Sequence, residues 1–174
     1  FWSASSAKGK EGFLPYAELK KEDNIQVSGL AYFKGDKLVG VSKPIQIIAY
    51  MGIKGVGVAG GQAFVRLPES EGLFMFQGRS RKATTNVQME EGRPIIKLHV
   101  SLEGNIMSKT NESAQLNHET VLAIERQLEK QAEAGYREFI AETQAKGSDI
   151  FGFGEYVRAK KSSYWNSNIR PKEA

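Results

Sequence analysis

The sequence predicts an α+β fold, with an antiparallel or mixed β-sheet, one long α-helix packed across a face of it, and short flanking helices. Three observations predict this class. Runs rich in β-forming residues fill positions 26–103, one sustained helical pattern occupies 117–146, and a short aromatic helical segment follows it. Because the strands precede the helices rather than alternating with them, the pattern favours α+β over α/β.

The composition is that of one ordinary globular domain. The 174 residues are 40% hydrophobic and 25% charged, enough to bury a single continuous core. The absence of cysteine excludes disulfides, thiolate nucleophiles and cysteine zinc sites. The net charge of +4 is scattered, which is weak support for a polyanion partner. No apolar run approaches the roughly 20 residues that span a bilayer.

Residues 1–25 are predicted to be a connector from an upstream domain. They mix Ser, Lys, Gly and Glu around small apolar patches, and Pro15 interrupts them. The α+β domain itself is therefore expected to occupy residues 26–174.

A β-hairpin is predicted where the domain begins. Val27, Gly29, Ala31 and Phe33 alternate with their neighbours, and Lys34–Lys37 forms a turn into a second strand over residues 38–41.

A short helix is expected to follow the hairpin. Ser42 is the predicted cap and Pro44 lies in the first turn. The apolar stripe is expected from Ile45, Ile48, and Tyr50 or Met51.

Four further strands are predicted, over Ala63–Leu67, Leu73–Phe76, Thr84–Met89 and Pro94–Leu102. The second is expected to be buried on both faces. The fourth alternates most clearly, with one buried face made of Ile96, Leu98, Val100 and Leu102. Turn signals at 91–92 and 103–105 indicate antiparallel pairing of sequence neighbours.

The long helix is predicted to begin at the cap Asn117 and to end near Lys146, where Gly147 stops it. Glu133 with Arg137, and Glu142 with Lys146, are expected to form exposed pairs. The buried stripe consists of residues three or four positions apart, namely Val121, Ile124, Leu128, Ala132, Tyr136, Phe139 or Ile140, and Thr143.

Residues 147–158, named here the aromatic-glycine segment, come next. Ser148 or Asp149 is expected to cap a second short helix within it. Glycines between aromatic residues let backbone and rings approach closely, so the segment is a packing device before it is a binding device. Its closeness to Tyr164 and Trp165 also keeps an interface role open.

The sequence indicates no catalytic, cofactor-binding or metal-binding residue, and the protein is predicted not to be an enzyme. The stretch 55–60 fits G-x-G-x-x-G, but a β-like run follows it instead of a helix, so a structural loop is favoured. Neither His99 nor His118 has a partner at metal-ligand spacing. A carboxylate pair from distant segments stays open.

Two basic patches support alternative functions. Residues 79–82 and 158–161 are rich in Arg and Lys, and the second leads into Tyr164 and Trp165. Phosphate contact and aromatic stacking would suit nucleic acid or anionic lipid head groups. A small-ligand receptor is the other alternative.

Two motifs carry a family resemblance. The aromatic-glycine segment with Tyr164 and Trp165, and the hairpin Gly29–Gly40, resemble the C-terminal domain of the spore germination receptor C-subunit family, the Ger(x)C lipoproteins. The resemblance covers roughly residues 24–166. It implies a non-enzymatic domain of a lipid-anchored subunit of a nutrient-germinant receptor, acting in receptor assembly or signalling.

The resemblance further implies A and B membrane subunits as partners, a lipid anchor N-terminal to this chain, no nucleic acid, no cofactor, and a place on the outer face of the spore inner membrane. It also implies that C-terminal strands follow Ala174. The candidate structural signature or interface consists of Asp149, Phe151, Gly152, Phe153, Gly154, Glu155, Tyr156, Arg158, Tyr164 and Trp165.

Overall fold

The computed structural model describes residues 7–21, 24–56, 61–67 and 72–169. The strands are β1 (Phe13–Leu19), β2 (Ile25–Lys34), β3 (Lys37–Val41), β4 (Gln62–Arg66), β5 (Leu73–Glu90) and β6 (Arg93–Lys109). The helices are α1 (Pro44–Lys54), α2 (His118–Ala145), α3 (Phe153–Lys160) and the single turn α4 (Ser162–Tyr164), which runs into a π-helical turn, Trp165–Ile169. Over these ranges, no helix combines the length and the apolar character that crossing a membrane requires.

The α+β class is confirmed, and the strands form two sheets rather than one. One sheet has the order β1-β2-β3 and the other β4-β5-β6, and every neighbouring pair is antiparallel. The two sheets are separate because the predicted hairpin, β2 with β3, pairs with β1 rather than with the later strands.

The predicted connector, residues 1–25, contains the strand β1. This strand pairs with β2 from Phe13 opposite Tyr32 to Leu19 opposite Ile25. It is an edge strand, so Pro15 can sit in it without breaking the interior of a sheet. The proline thus lies in an edge strand.

Helix α1 is confirmed, but its cap and its buried face differ from the prediction. The N-cap is Lys43, whose N–H donates to the side-chain oxygen of Gln46. The hydroxyl oxygen of Ser42 instead accepts from the N–H of Leu30, 2.8 Å away. The buried side carries Gln46, Ala49, Gly52 and Ile53, whereas Ile45 is 63% exposed.

The later predicted strands merge into a long hairpin. Leu73–Phe76 and Thr84–Met89 are parts of β5, and Pro94–Leu102 is part of β6. The predicted double burial of Leu73–Phe76 holds for Phe74 alone, since its neighbours are half-buried. The alternation in β6 is confirmed, but its apolar face is only half-buried and Leu102 is 44% exposed.

Helix α2 has the predicted ends. The side-chain oxygen of Asn117 accepts from the N–H of Thr120, and Gly147 adopts a φ of 68° just after the last turn. The N–H of Ser148 donates to the carbonyl of Thr143 and that of Gly147 to the carbonyl of Gln144, which is the Schellman arrangement. The predicted stripe from Val121 to Thr143 is buried or half-buried throughout.

One of the two predicted charge pairs on α2 forms. Arg137 lies 2.7 Å from Glu133, as expected for residues four apart. Glu142 does not pair with Lys146. It turns inward, where its two carboxylate oxygens accept from the hydroxyl of Tyr32 and the side-chain amide of Gln46.

Helix α2 joins two apolar cores. At its N-terminal half, Ile124 packs with Val65, Leu67 and Phe74 from the second sheet. At its C-terminal half, Phe139 lies in the larger core. The buried members of that larger core are Tyr32, Ala49, Ile53, Phe139, Ile150 and Phe151.

Candidate functional site

The aromatic-glycine segment starts where the Schellman turn of α2 redirects the chain. The carboxylate of Asp149 then accepts from the N–H groups of Phe153 at 3.0 Å and Gly154 at 2.7 Å. These N–H groups lie in the first turn of α3, where they have no acceptor within the helix. Gly152 occupies the N-cap position with a φ of 70°, a conformation that favours glycine. The predicted cap, Ser148 or Asp149, is therefore wrong in position, because the N-cap of the helix is Gly152; Asp149 nevertheless supplies the side-chain acceptors for its first N–H groups.

The aromatic rings of the segment are part of the larger core. Phe151 is 1% exposed, and its ring lies edge-on to Phe139 with 5.5 Å between centroids. On its other sides it stacks with Phe153 at 5.4 Å and with Tyr50 at 5.9 Å. Such pairs add stabilisation beyond the burial of apolar area. Phe151 thus connects α1, α2 and α3 through one side chain.

A second close contact joins the segment to the N-terminal part of the chain. The carbonyl of Gly9 accepts from the N–H of Glu155 at 3.0 Å, and the N–H of Glu11 donates to the carbonyl of Asp149 at 2.9 Å. A Cβ atom on Gly154 would lie only 2.7 Å from the carbonyl oxygen of Gly9. Glycine at position 154 is therefore required by the approach of another backbone.

Trp165 covers the same contact. Its side chain is 3% exposed, and a Cβ atom on Gly9 would lie 2.8 Å from the edge of its ring. Tyr164, the preceding residue, is half-buried. Trp165 therefore closes the packed unit, while Tyr164 keeps part of its surface in solvent.

Lys54, at the end of α1, contacts the segment. Its ammonium group donates to the carbonyl of Phe151 at 2.8 Å and lies 5.7 Å from the centre of the Tyr156 ring. Burial raises the pKa of Asp149, while hydrogen bonds from the backbone of Gly154, Phe153 and Gly152, and then the charge of Lys54, act in the opposite direction.

The structure brings most of the predicted signature into one packed unit. Glu155 and Tyr156 are half-buried in α3, whereas Arg158 is exposed. The role of these residues as a signature or an interface remains a prediction. Gly9 and Lys54 were missed, because a lysine in an apolar helix and a glycine in a polar stretch carry no local signal for a distant contact.

A small groove borders the segment. It has a volume of about 240 Å³ and is lined by the end of α2 and the start of the segment, with Thr143, Ser148, Asp149, Phe151 and Phe153 among its walls. Among the described residues, no group of three His, Asp or Glu side chains could hold a metal ion. His99 and His118 are both exposed.

The predicted glycine loop lies partly outside the described residues, since 57–60 belong to none of the ranges. Its first residue, Gly55, ends α1 with a φ of 61°. A Cβ atom there would lie 2.6 Å from the backbone nitrogen of Ala83. The backbone of residue 55 packs so closely against β5 that a side chain would not fit, which explains why this residue is a glycine.

The fold is similar to a solved structure, titled as the crystal structure of the GerBC protein. The TM-score is 0.77 and the sequence identity is 18%, and the match covers 94% of this chain but 51% of that chain. This chain thus spans about half the length of that relative. No protein with a curated description matches the chain.

Two antiparallel sheets and one long helix that joins their cores define the class of the fold: an α+β domain of the kind seen in that structure. The model of the family described as spore germination B3/GerAC like, C-terminal, matches residues 28–172. The chain belongs to this family, and is a C-terminal domain of a germinant receptor subunit family.

Proposed function

We propose that this chain is a non-enzymatic domain of a lipid-anchored germinant receptor subunit, and that it acts in receptor assembly or signalling. The observation that carries the proposal is the family match over residues 28–172. In this proposal the A and B membrane subunits are the partners, and an anchor outside this chain holds the domain at the outer face of the spore inner membrane.

The surface around the aromatic-glycine segment supports a contact there. Arg158 is exposed in the last turn of α3, and Tyr164, six residues later in α4, is half-buried. Tyr and Arg are residue types enriched in interfaces. Phe151 and Trp165 of the same region are buried, so the contact would rest on a packed support.

Photo-crosslinking in the intact receptor tests this proposal. A photoreactive residue placed at Arg158 in the full-length protein, in spores, is expected to form an adduct with the A or B subunit. The matched control is Lys130, a residue of α2 that is also exposed and lies in a different element. The absence of any subunit adduct from Arg158, with the protein present at its normal level, would contradict the proposed contact.

A polyanion-binding role is the second candidate, and one observation favours it. Arg158 and Lys160 are both exposed in the last turn of α3, next to Lys161. If this role were correct, the chain would bind vesicles containing anionic lipid or a nucleic acid in a salt-dependent manner, and neutral residues at these three positions would abolish that binding. Subunit crosslinks without such binding support the receptor-contact proposal.

A further inference from the structure

The outer edge of β6 is a long, unpaired strand edge. In the part of the chain that the structure describes, β6 has a neighbouring strand on one side, β5, and none on the other. It runs for 17 residues. The unpaired N–H and C=O groups of such an edge form a template for pairing with another chain.

The hairpin turn determines which groups point outward. Glu90 pairs with Arg93 across the two-residue turn at 91–92, and the residues that close such a turn exchange both of their hydrogen bonds. The backbone N–H and C=O groups of Arg93, and of every second residue after it in β6, therefore point towards β5. The intervening residues Ile96, Leu98, Val100 and Leu102 present their N–H and C=O groups outward. Pro94, which has no N–H, falls in the outward set.

An apolar groove lies beside this edge. Helix α2 packs against β4, at the opposite side of the second sheet, and leaves a cavity of about 550 Å³ between itself and the end of β6. Its walls include Ile106 from β6 and the apolar stripe of α2, namely Val121, Ile124 and Leu128. Leu102, on the strand just before it, is 44% exposed.

One pair of opposite charges on β6 is matched when the same strand runs beside it in the opposite direction. With a two-fold axis at Val100, Lys97 of one copy stands opposite Glu103 of the other, since these residues lie three positions on either side of the axis. Both side chains are exposed. In the pair of β6 strands, Lys97 and Glu103 form a non-hydrogen-bonded pair. The two strands are closest at such pairs, so the cross-strand side chains interact most directly there.

The same register matches the apolar residues. Leu98 stands opposite Leu102 of the second copy and Val100 opposite itself. Leu98 and Val100 are half-buried and Leu102 is exposed, and all three lie on the face of β6 that leads to the groove. These are the outward-pointing residues, so they also form the backbone hydrogen bonds. Moving the axis to Leu98 would place Lys97 opposite His99, so the contact between Lys97 and Glu103 would be lost.

We propose that two copies of this chain associate through the outer edges of their β6 strands, antiparallel about Val100, to form one continuous six-stranded sheet. The hairpin turn between β5 and β6 of each copy then lies over the groove of the other copy. The interface is isologous, because the same edge serves both copies. This proposal does not depend on the receptor role, so the two can fail separately.

Charge reversal tests the partner and the register together. The wild-type chain is expected to show a concentration-dependent monomer–dimer equilibrium in sedimentation equilibrium. Lys97→Glu and Glu103→Lys, each alone, place like charges opposite each other twice and are expected to weaken dimerisation by about tenfold or more. An equimolar mixture of the two variants restores opposite charges at both positions, so it is expected to recover the wild-type affinity as a heterodimer.

The controls separate folding from association. Lys130→Glu changes the charge as Lys97→Glu does, at an exposed site on α2, and is expected to dimerise normally. Circular dichroism checks that each variant is folded. A wild-type chain that stays monomeric at its highest soluble concentration overturns the proposal. So does a mixture of the two reversed variants that associates no better than either variant alone.

Discussion

Tyr32 shows how a single side chain ties the first sheet to α2. Its hydroxyl donates to one carboxylate oxygen of Glu142 at 2.9 Å, and the side-chain amide of Gln46 donates to the other oxygen at 2.8 Å. Tyr32 is 1% exposed. A half-buried carboxylate is thus held between a strand and two helices, and hydrogen bonds to a charged group are the stronger kind.

Replacing Tyr32 by Phe should lower the free energy of unfolding by about 1.5–3 kcal/mol, because a hydrogen bond to a charged acceptor is lost while the ring still packs. Urea unfolding near pH 7 measures the change. Tyr16→Phe is the control, since Tyr16 is 40% exposed on the edge strand β1. Equal stability of the Tyr32→Phe and wild-type proteins would show that this hydrogen bond contributes nothing.

The same residue predicts a dependence on alkaline pH. Burial, followed by the hydrogen bond to Glu142 and its charge, raises the pKa of Tyr32 from 10.0 to about 12, and burial alone raises that of Tyr50 to about 12. Between these values the unfolded chain loses protons that the native chain keeps, so stability should fall as the pH rises from 10 to 12. Tyr32→Phe should lose less stability over this range than the wild type.

At the scale of elements, the attachment of α3 depends on two glycines that face each other. Gly154 lies in α3 against the backbone of Gly9, so the loop before β1 and the start of α3 cannot separate without breaking their hydrogen bond. The sequence indicated close packing in this segment. It could not indicate what packed there, since the partner lies far away in the chain.

A pair of glycine substitutions separates helix propensity from close approach. Gly154→Ala should destabilise the domain by about 1–3 kcal/mol, because its Cβ would lie within 2.7 Å of the Gly9 carbonyl, and that backbone must move. Gly135→Ala, in α2 with nothing within 4 Å of the new Cβ, should stabilise by about 0.5–1 kcal/mol. Thermal unfolding compares them, and an increase in stability for both would contradict the close contact.

At the scale of the whole molecule, α2 couples the two cores. Ile124 lies in the core of the second sheet and Phe139 in the larger core, on the same buried stripe. The helix cannot unfold at one end without exposing apolar surface at that end. We therefore expect the described part of the chain to unfold as one cooperative unit.

Ile124→Ala tests this coupling from the far end of the helix. It should lower stability by about 2–5 kcal/mol through the lost burial and the cavity it leaves. Because unfolding is cooperative, the shift should be equal when followed by circular dichroism and by the fluorescence of Trp165, with Trp2 replaced by Phe. If the unfolding transition reported by Trp165 were the same in the variant and the wild type, the two ends of the helix would belong to independently unfolding units.

Much of the fold was determined by local pattern. The Asn117 cap, the Gly147 stop, the stripe of α2 and the hairpin of β2 and β3 were all predicted, because capping and periodicity depend on neighbours within a few residues. The face of α1 and the inward turn of Glu142 were not. Both depend on where a distant strand lies, and no spacing within a helix reports that.

The sequence by itself determined the class of the fold and the positions of most elements, including the short helix within the aromatic-glycine segment. Only the tertiary structure decided that the strands divide into two sheets, that β1 belongs to the first of them, and that Gly9 closes against Gly154. The physical reason is the range of the interactions. Capping and alternation act within a few residues, whereas strand pairing and backbone contact join residues that only folding brings together.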